Sequence, residues 1–387
     1  MDKFDTFLDS AHEQLQAGRL SRRGFLKSLL AFGASVGVYV AAPSILAGCS
    51  PAGGKSSGQM ATELKWIQFE GISDPAFLEA WNKQYATKIA TQSLVSEAAI
   101  VAQVAAGQIQ ADLAIVSMGY SQNYWFPSGE LQTLNPSDFP HWNDLFPFWQ
   151  QAPWYRDGSG NLLAIPHIWG TDSIIHSTKA IPEVTSVSAL FDPTYKGKVA
   201  MPKNGIESVA IAAQYLGYLD PFNPTDAQLT EIEKVLMEQK PLVRTYWESI
   251  GDLVNLFTTG EVVLAYGWLS VFTQVQNAGV PVQWADPKEG QIGWSNGNGV
   301  IKKSANVETA LKFMDYLISP DFLSPLYEKL GYRTTSKVVT DKLSADQRTA
   351  LQLDNPDKLM GSIVPWITPP QELNRKVDDL WARILGA

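Results

Sequence analysis

From residue 62 onward, short apolar segments alternate with segments of helical character, and this alternation constrains the fold more than any other feature. Residues 64–67 are predicted to form the first strand, and Asp74-Pro75 offers a cap and a first-turn proline for the helix that follows. Residues 111–116 give a buried strand that ends at Ser117. The pattern is typical of an α/β fold in which mostly parallel sheets are flanked by helices.

The same alternation continues through the second half of the chain. The folded part is too long for a single hydrophobic core. About 340 residues follow the N-terminal leader described below, so two lobes of roughly 150 residues each are expected. In α/β folds, ligands bind at the loops that follow strands. Ser117, at the end of a predicted strand, is therefore a candidate ligand contact. Helices are predicted near residues 206–216, 226–237, 250–257, 307–317 and 321–330, and a strand is predicted at residues 262–266.

The first 49 residues carry two export features in the order that export requires. Arg22 and Arg23 precede an apolar run from residue 29 to residue 46, and Leu46-Ala47-Gly48 leads into Cys49. The pattern resembles a twin-arginine (Tat) signal joined to a lipoprotein signal. A transmembrane helix is the alternative, but roughly 17 apolar residues interrupted by glycine and proline fall short of the roughly 20 that a span needs. The resemblance implies a signal peptide at residues 1–48, lipid on Cys49 and a flexible tether at residues 49–61.

Charge and cysteine content exclude several classes of protein. The chain has 30 Lys and Arg against 39 Asp and Glu, and the part after residue 48 keeps 25 against 35. Such an acidic surface argues against nucleic acid as a partner and against broad adhesion to anionic lipid. Cys49 is the only cysteine, so no disulfide forms within the chain. All thirteen Trp residues follow residue 65, which suggests an aromatic-lined cleft.

Motifs for catalysis or cofactor binding are weak. The segment 293–297 has the letters of a nucleophile elbow, G-x-S-x-G, and would nominate Ser295 as an esterase serine. A strand-like segment follows instead of a helix, and the last histidine, His176, precedes it, so a hydrolase remains a remote alternative. The histidines lack metal-ligand spacing, and no phosphate-binding loop follows a strand. We therefore predict no enzyme activity, no metal and no cofactor.

Four segments together resemble the spermidine/putrescine-binding proteins of bacterial ABC importers. The resemblance extends from about Leu64 to the C-terminus and implies a two-lobed periplasmic-binding-protein type II fold with a hinge of crossing strands. It places residues 62–167 and 293–334 in lobe 1, and residues 168–292 and 335–387 in lobe 2. The segments that carry it are residues 165–171, 191–198, 287–290 with Trp294 shortly after, and 330–335.

The resemblance also nominates residues that contact the ligand. A polyamine cleft needs carboxylates to pair with ammonium groups and aromatic rings to cover the methylenes. Trp268 and Trp294 occupy the positions of two cleft tryptophans, Ser117 that of a polar contact, and Glu207 that of a carboxylate. Further candidates are the tail residue Trp366, together with Phe69, Glu70, Tyr120 and Asp172.

Several positions depart from the family pattern and leave the ligand open. Asn204 and Asn296 stand where aspartates are usual, and Ile367 stands where a glutamine is expected. The acid of the first loop is shifted by one position, to Glu70, and Asp172 or Glu70 would compensate for the lost anions. The ligand is therefore either a polyamine or another small nitrogenous solute, such as an amino acid-like or thiamine-like compound.

The resemblance implies a role in transport rather than catalysis. A monomeric receptor, lipid-anchored at the periplasmic face of the cytoplasmic membrane, would pass its ligand to a permease driven by an ATPase. A scaffold lipoprotein that binds a protein partner and no small molecule is the alternative from another class.

Overall fold

The computed structural model describes residues 60–69, 71–93 and 96–387. The export signal, Cys49, the tether and Glu70 lie outside these ranges, so their predicted roles stay predictions. In the described part, eleven strands form one sheet in which the order of the main path is β2-β1-β3-β9-β4-β7-β5-β6. The strands are β1 (Glu63–Gln68), β2 (Lys88–Ser93), β3 (Leu113–Ser117), β4 (Ile165–Ser177), β5 (Val199–Pro202), β6 (Val243–Trp247), β7 (Leu264–Trp268), β8 (Val282–Trp284), β9 (Ile292–Val300), β10 (Arg333–Thr334) and β11 (Val364–Pro365).

Parallel strands lie at both ends of this sheet, as the alternating sequence pattern predicts. β1 pairs in parallel with β2 and β3, and β5 pairs in parallel with β6 and β7. Two long antiparallel strands, β4 and β9, join the two ends: β4 pairs with β9 from Ile165 to Asp172, and with β7 from Asp172 to His176. These crossing strands form the predicted hinge.

The glycines of residues 293–297 would suit a loop or a tight turn, but in the structure this segment lies inside strand β9. The strand runs without a break from Ile292 to Val300 and pairs with both β3 and β4. Glycine is needed for packing rather than for a turn, because a Cβ atom on Gly297 would lie 2.7 Å from the carbonyl oxygen of Ile165.

Helices cover both faces of the sheet, and their starts follow ordinary capping chemistry. Ser96 accepts a hydrogen bond from the amide of Ala99, and Thr225 forms a capping box with Gln228. The α-helices are α1 (Glu79–Gln84), α2 (Glu97–Ala105), α3 (Met118–Tyr120), α4 (Phe126–Ser128), α5 (Pro147–Gln151), α6 (Gly205–Tyr215), α7 (Asp226–Gln239), α8 (Ile250–Thr258), α9 (Leu269–Asn277), α10 (Val307–Leu317), α11 (Pro320–Leu330), α12 (Lys337–Asp341), α13 (Ala345–Ala350), α14 (Pro356–Ser362) and α15 (Gln371–Gly386).

The C-terminal segment packs against both ends of the sheet. Helix α12 contacts α11, and α14 contacts α5, whereas α15 packs on α6 and α7 through Trp381. Between them, β11 pairs with the first residues of β9. The lobe boundaries given above stay a prediction. Within the described ranges, no helix has both the length and the apolar character that crossing a membrane requires.

Candidate functional site

The register of the crossing strands places several predicted residues on one face of the sheet. Asp172 of β4 lies directly opposite Trp268 of β7 and, on its other side, opposite Ile292 of β9. Trp294 shares the face of Ile292 because side chains alternate along a strand, and Asn296 follows on the same face. Residues far apart in sequence therefore meet at the crossing of β4 and β9.

Trp294 is held against Asp172 by a glycine and a hydrogen bond. Its indole N–H donates to Asp172 Oδ1 at 3.1 Å. The ring lies over Gly170, where a Cβ atom would be only 2.3 Å from the ring carbon Cζ2. Tyr332 contacts the same ring edge-on, with a centroid separation of 5.6 Å. Gly170 thus creates the space in which Trp294 reaches the carboxyl group.

Two buried acids converge beside Trp294. Asp172 and Glu207 are each 1% exposed, and Glu207 Oε1 has no hydrogen-bond partner among the described residues. Burial raises the pKa of Asp172 to about 8, while the Trp294 N–H and the charge of Arg333 act in the opposite direction. Burial and then the charge of Asp172 hold the pKa of Glu207 well above its usual range. The charge of Arg333 is thus too weak to offset burial, and both acids favour the protonated form.

Tyr266 of β7 lies close to both acids. Its hydroxyl group donates to the backbone oxygen of Asp172 at 2.8 Å. Burial raises the pKa of Tyr266, and the charges of Asp172 and Glu207 raise it further. Tyr266 thus lies within the electrostatic reach of both carboxyl groups and stays protonated.

Arg333 is the buried cation whose charge acts on Asp172, but it lies on the opposite face of the sheet. It pairs in register with Trp169, whose ring lies 5.0 Å from the guanidinium carbon. Its Nε donates to the backbone oxygen of Leu351, and one Nη donates to Thr171 Oγ1 at 2.9 Å. Arg333 therefore moderates the charge of Asp172 without forming an ion pair with it.

Trp268 presents an exposed ring beside the acids. It immediately precedes helix α9, is 36% exposed and packs edge-on against Trp247 with a centroid separation of 4.9 Å. The contact with Trp247 holds the ring in place, and its exposed part is available to cover a ligand. The structure thus places Trp268 and Trp294 on either side of Asp172.

Ser117 and Asn296 face each other at the other end of the crossing. They are opposite residues in the β3–β9 ladder. The Ser117 hydroxyl donates to Glu97 Oε2, and its amide donates to Glu97 Oε1 at 2.9 Å. Trp125 Nε1 also donates to Glu97 Oε1, at 2.8 Å. Burial raises the pKa of Glu97 to about 7, although these hydrogen bonds oppose the rise.

Tyr120 and Trp366 lie next to this end of the site. Tyr120 is partly buried, contacts Tyr124 and hydrogen-bonds through its side chain to Thr368. Trp366 donates its backbone N–H to Gly293 at 2.7 Å, and its ring stacks on Phe222. The tail therefore links the loop after β3 to the half of the sheet that carries Asp172.

Asn204 and Phe69 have local structural roles. The Asn204 side chain caps helix α6 by accepting the amide of Glu207 at 3.2 Å. Phe69 follows β1 and is 37% exposed, and its amide donates to Gln68 Oε1 at 2.9 Å. Neither contact by itself identifies a ligand-binding role.

The structure argues against a nucleophilic Ser295. The residue lies inside β9, is 1% exposed, and its hydroxyl is 2.7 Å from that of Tyr155. A nucleophile elbow requires an exposed serine between a strand and a helix. In the described ranges, no three His, Cys, Asp or Glu side chains come together as metal ligands.

Sequence reasoning missed Glu97, Tyr266, Gly170 and Arg333. Glu97 follows a helix cap, where an acid is an ordinary partner of the helix dipole, so it gave no separate signal. Tyr266 lies in an apolar strand. Gly170 is part of the segment 165–171 that was recognised, but only the structure shows that it makes room for Trp294.

Comparison with known proteins confirms the predicted resemblance and fold class. A family model described as bacterial extracellular solute-binding protein matches residues 77–351. The spermidine/putrescine-binding periplasmic protein of Escherichia coli (strain K12) is 28% identical over 275 residues, which cover 70% of this chain and 77% of that protein.

Solved structures share the architecture at lower identity. The spermidine/putrescine ABC transporter substrate-binding protein PotD from Streptococcus pneumoniae, in complex with calcium and HEPES, has a TM-score of 0.72 and 18% identity, covering 84% of this chain and 99% of that one. The binding protein AgtB from A. tumefaciens R10, in complex with agropinic acid, has a TM-score of 0.60 and 16% identity, covering 85% and 100%. At this identity the structures show the fold alone.

Proposed function

Because the chain belongs to the family of bacterial extracellular solute-binding proteins, we propose that it captures a small organic amine of the polyamine class for an ABC importer. Putrescine or spermidine would bind reversibly at the crossing of β4 and β9, and the lobes would close around it. The loaded protein would then deliver the amine to the permease and ATPase subunits. No bond of the ligand is broken in this account.

The pair of buried acids, Asp172 and Glu207, carries the proposal. Both carboxyl groups have pKa values raised by burial, and the charge of Asp172 raises that of Glu207 further, so the ionised pair is unfavourable unless a cation lies beside it. Glu207 Oε1 is buried without a partner, which leaves an acceptor free for an ammonium N–H. An ammonium group would supply both the charge and the hydrogen bonds that this pair lacks.

The neighbouring rings suit the methylene part of such a ligand. Trp294 is already fixed by Asp172 and Gly170, and Trp268 has an exposed face beside the acids. Aromatic faces cover apolar methylenes and attract cations electrostatically. The site therefore combines anionic and aromatic surfaces, as an alkyl amine requires.

The location is proposed from the N-terminal sequence and from the relatives. Residues 1–48 would direct export by the twin-arginine route, and lipid on Cys49 would hold a monomer at the outer face of the cytoplasmic membrane. The Escherichia coli relative named above is a periplasmic protein. The tether at residues 49–61 would allow the receptor to reach its permease.

A second candidate keeps the receptor class but changes the solute. The oxygen of Asn204 is engaged by the amide of Glu207, and Asn296 provides an amide instead of a carboxylate. The site thus has fewer anions than its family pattern, which favours a less highly charged nitrogenous solute over a longer polyamine.

A thermal-shift screen tests the proposal. Purified protein is heated with putrescine, spermidine, spermine, cadaverine, agmatine, amino acids or thiamine. A ligand at about 100 times its dissociation constant adds roughly 2.7 kcal/mol to the free energy of unfolding, which raises the midpoint by several degrees. A shift by a polyamine that Glu207→Gln abolishes supports the proposal. A shift only by a different nitrogenous solute supports the second candidate, and no shift by any compound contradicts both.

A further inference from the structure

The C-terminal helix α15 contacts the beginning of helix α6, which carries Glu207. The contact is made by Trp381, whose buried indole ring lies against Gly205, the first residue of α6. A Cβ atom on Gly205 would be 2.7 Å from Cγ and 2.9 Å from Cδ1 of this ring. The indole N–H donates to the backbone oxygen of Lys203 at 2.8 Å. Trp381 therefore touches the backbone on both sides of Asn204, the residue that caps α6.

The Trp381 ring is itself held in place by its surroundings. Tyr246 of β6 contacts it edge-on, with a centroid separation of 5.2 Å. On the same helix, Ile384 is buried in the apolar cluster that joins α6, α7 and α15. At the edge of that cluster, the guanidinium group of Arg383 donates to both carboxyl oxygens of Glu233 on α7, at 2.7 and 2.8 Å. Helix α15 thus presents Trp381 to α6 from a fixed position.

Glu207 lies in the turn of α6 that Trp381 contacts, two residues after Gly205. Its amide donates to Asn204 Oδ1 at 3.2 Å, which ties the acid to the cap. Its carboxyl group is buried, and Oε1 has no hydrogen-bond partner among the described residues. Burial of an unpaired acceptor costs free energy that water would restore, so a shift of this turn toward water would be favourable. The two contacts of Trp381 oppose such a shift.

We propose that Trp381 is a positioning residue that holds the first turn of α6 and thereby keeps the carboxyl group of Glu207 where it receives an ammonium group. The inference rests on the proposed function. It extends the site to a part of the chain outside the family match, which ends at residue 351, whereas α15 begins at Gln371. Trp381 acts through the backbone of α6, and Gly205 is required because any side chain there would displace the indole ring.

Two variants weaken this contact in different ways. Trp381→Phe keeps an aromatic ring beside Tyr246 but removes the N–H that binds the backbone oxygen of Lys203. Gly205→Ala keeps every hydrogen-bonding group and adds a methyl group that displaces the Trp381 ring. Gly251→Ala is the matched control, because it makes the same change in the first turn of α8, where the methyl group would meet nothing within 4 Å.

Calorimetric titration of putrescine at pH 7 in two buffers of different ionisation heat measures both the affinity and the number of protons released. Burial and then the charge of Asp172 raise the pKa of Glu207, and Tyr266 is the other titratable group whose pKa responds to that acid. We expect Trp381→Phe and Gly205→Ala to weaken putrescine binding by about fivefold or more, the effect of one hydrogen bond lost. Both should also release fewer protons than the wild type, because a Glu207 that has moved into water is already ionised. Gly251→Ala should match the wild type in both quantities.

Urea unfolding of the same variants separates positioning from stability. A purely structural role of Trp381 predicts a lower free energy of unfolding with wild-type affinity and wild-type proton release. That result in either variant would overturn the inference and leave the receptor intact. A wild type that does not bind putrescine, or binds it without releasing protons, would overturn the proposed function and the inference with it. If Trp381→Phe does not fold, Gly205→Ala decides alone.

Discussion

Trp294 donates its indole N–H to Asp172 Oδ1 at 3.1 Å, between the two strands that cross from one half of the sheet to the other. The contact joins an aromatic ring to a carboxyl group that forms no ion pair with any of the described residues. Because both residues lie where β4 and β9 cross, any movement of the two halves about these strands would be coupled to occupation of the acid pair. A ligand that engages both residues would stabilise one arrangement of the hinge.

Replacing either acid with its amide should weaken amine binding without lowering the free energy of unfolding. We expect Asp172→Asn or Glu207→Gln to weaken amine binding by about tenfold or more, since one charged hydrogen bond contributes roughly 1.5–3 kcal/mol. The free energy of unfolding of the ligand-free protein should stay equal or rise, because folding no longer has to take up a proton on a carboxyl group that is ionised in the unfolded chain. Calorimetric titration and urea unfolding measure the two effects. Asp220→Asn, an exposed acid changed in the same way, should alter neither.

The stability of the ligand-free protein should fall as pH rises from about 5 to 8. Unfolded Asp172 ionises near pH 4, whereas folded Asp172 keeps its proton up to about 8. The folded state therefore holds more protons than the unfolded state in this range, and the free energy of unfolding decreases with pH. Glu207 and Glu97 act in the same direction. Urea unfolding across this range should show a shallower slope in Asp172→Asn, and an identical slope would show that Asp172 ionises normally.

Gly170→Ala should displace the Trp294 ring, which lies over Gly170. The added methyl group would lie 2.3 Å from the indole ring, so the ring or the strand must move. Overpacking of this kind costs typically about 1–3 kcal/mol in the free energy of unfolding. Amine affinity should fall as well, because Trp294 can no longer reach Asp172. Gly158→Ala is the control, since its methyl group would meet nothing within 4 Å. Equal effects of the two changes would refute the packing argument.

Much of the fold follows from the sequence because its signals are local. The strand at residues 64–67, the cap at Asp74 and the helix that begins at Asp226 each depend on neighbouring residues, and the structure has all three. The sequence did not predict strand β9, because three of its residues are glycines. Their close packing against Ile165 and Leu131 depends on distant parts of the chain.

The candidate site was only partly predictable for the same reason. Asp172, Glu207, Trp268 and Trp294 were named from the resemblance, yet the electrostatic coupling of the two acids depends on how α6 packs on β5, which β7 separates from β4 in the sheet. In the sequence, Glu97 is an ordinary acid in the first turn of a helix. Only the structure shows that the Ser117 hydroxyl donates a hydrogen bond to it.

Trp268→Ala should reduce amine affinity with little effect on stability. The ring is 36% exposed, so its loss removes modest packing, but a cation–π contact contributes about 0.5–2 kcal/mol. Fluorescence titration and thermal unfolding measure the two quantities. Leu219→Ala is the control, because Leu219 is a fully exposed apolar residue on a loop. A large loss of stability with unchanged affinity would assign Trp268 to the core instead.

The central claim is that Asp172 and Glu207 receive an ammonium group, and calorimetric titration of putrescine at pH 7 in two buffers of different ionisation heat tests it most directly. Acids with raised pKa values must lose protons when a cation binds between them. We therefore expect binding with net release of protons, and we expect Glu207→Gln to reduce both the affinity and the number of protons released. Tight binding without proton release, unchanged in Glu207→Gln, would contradict the claim.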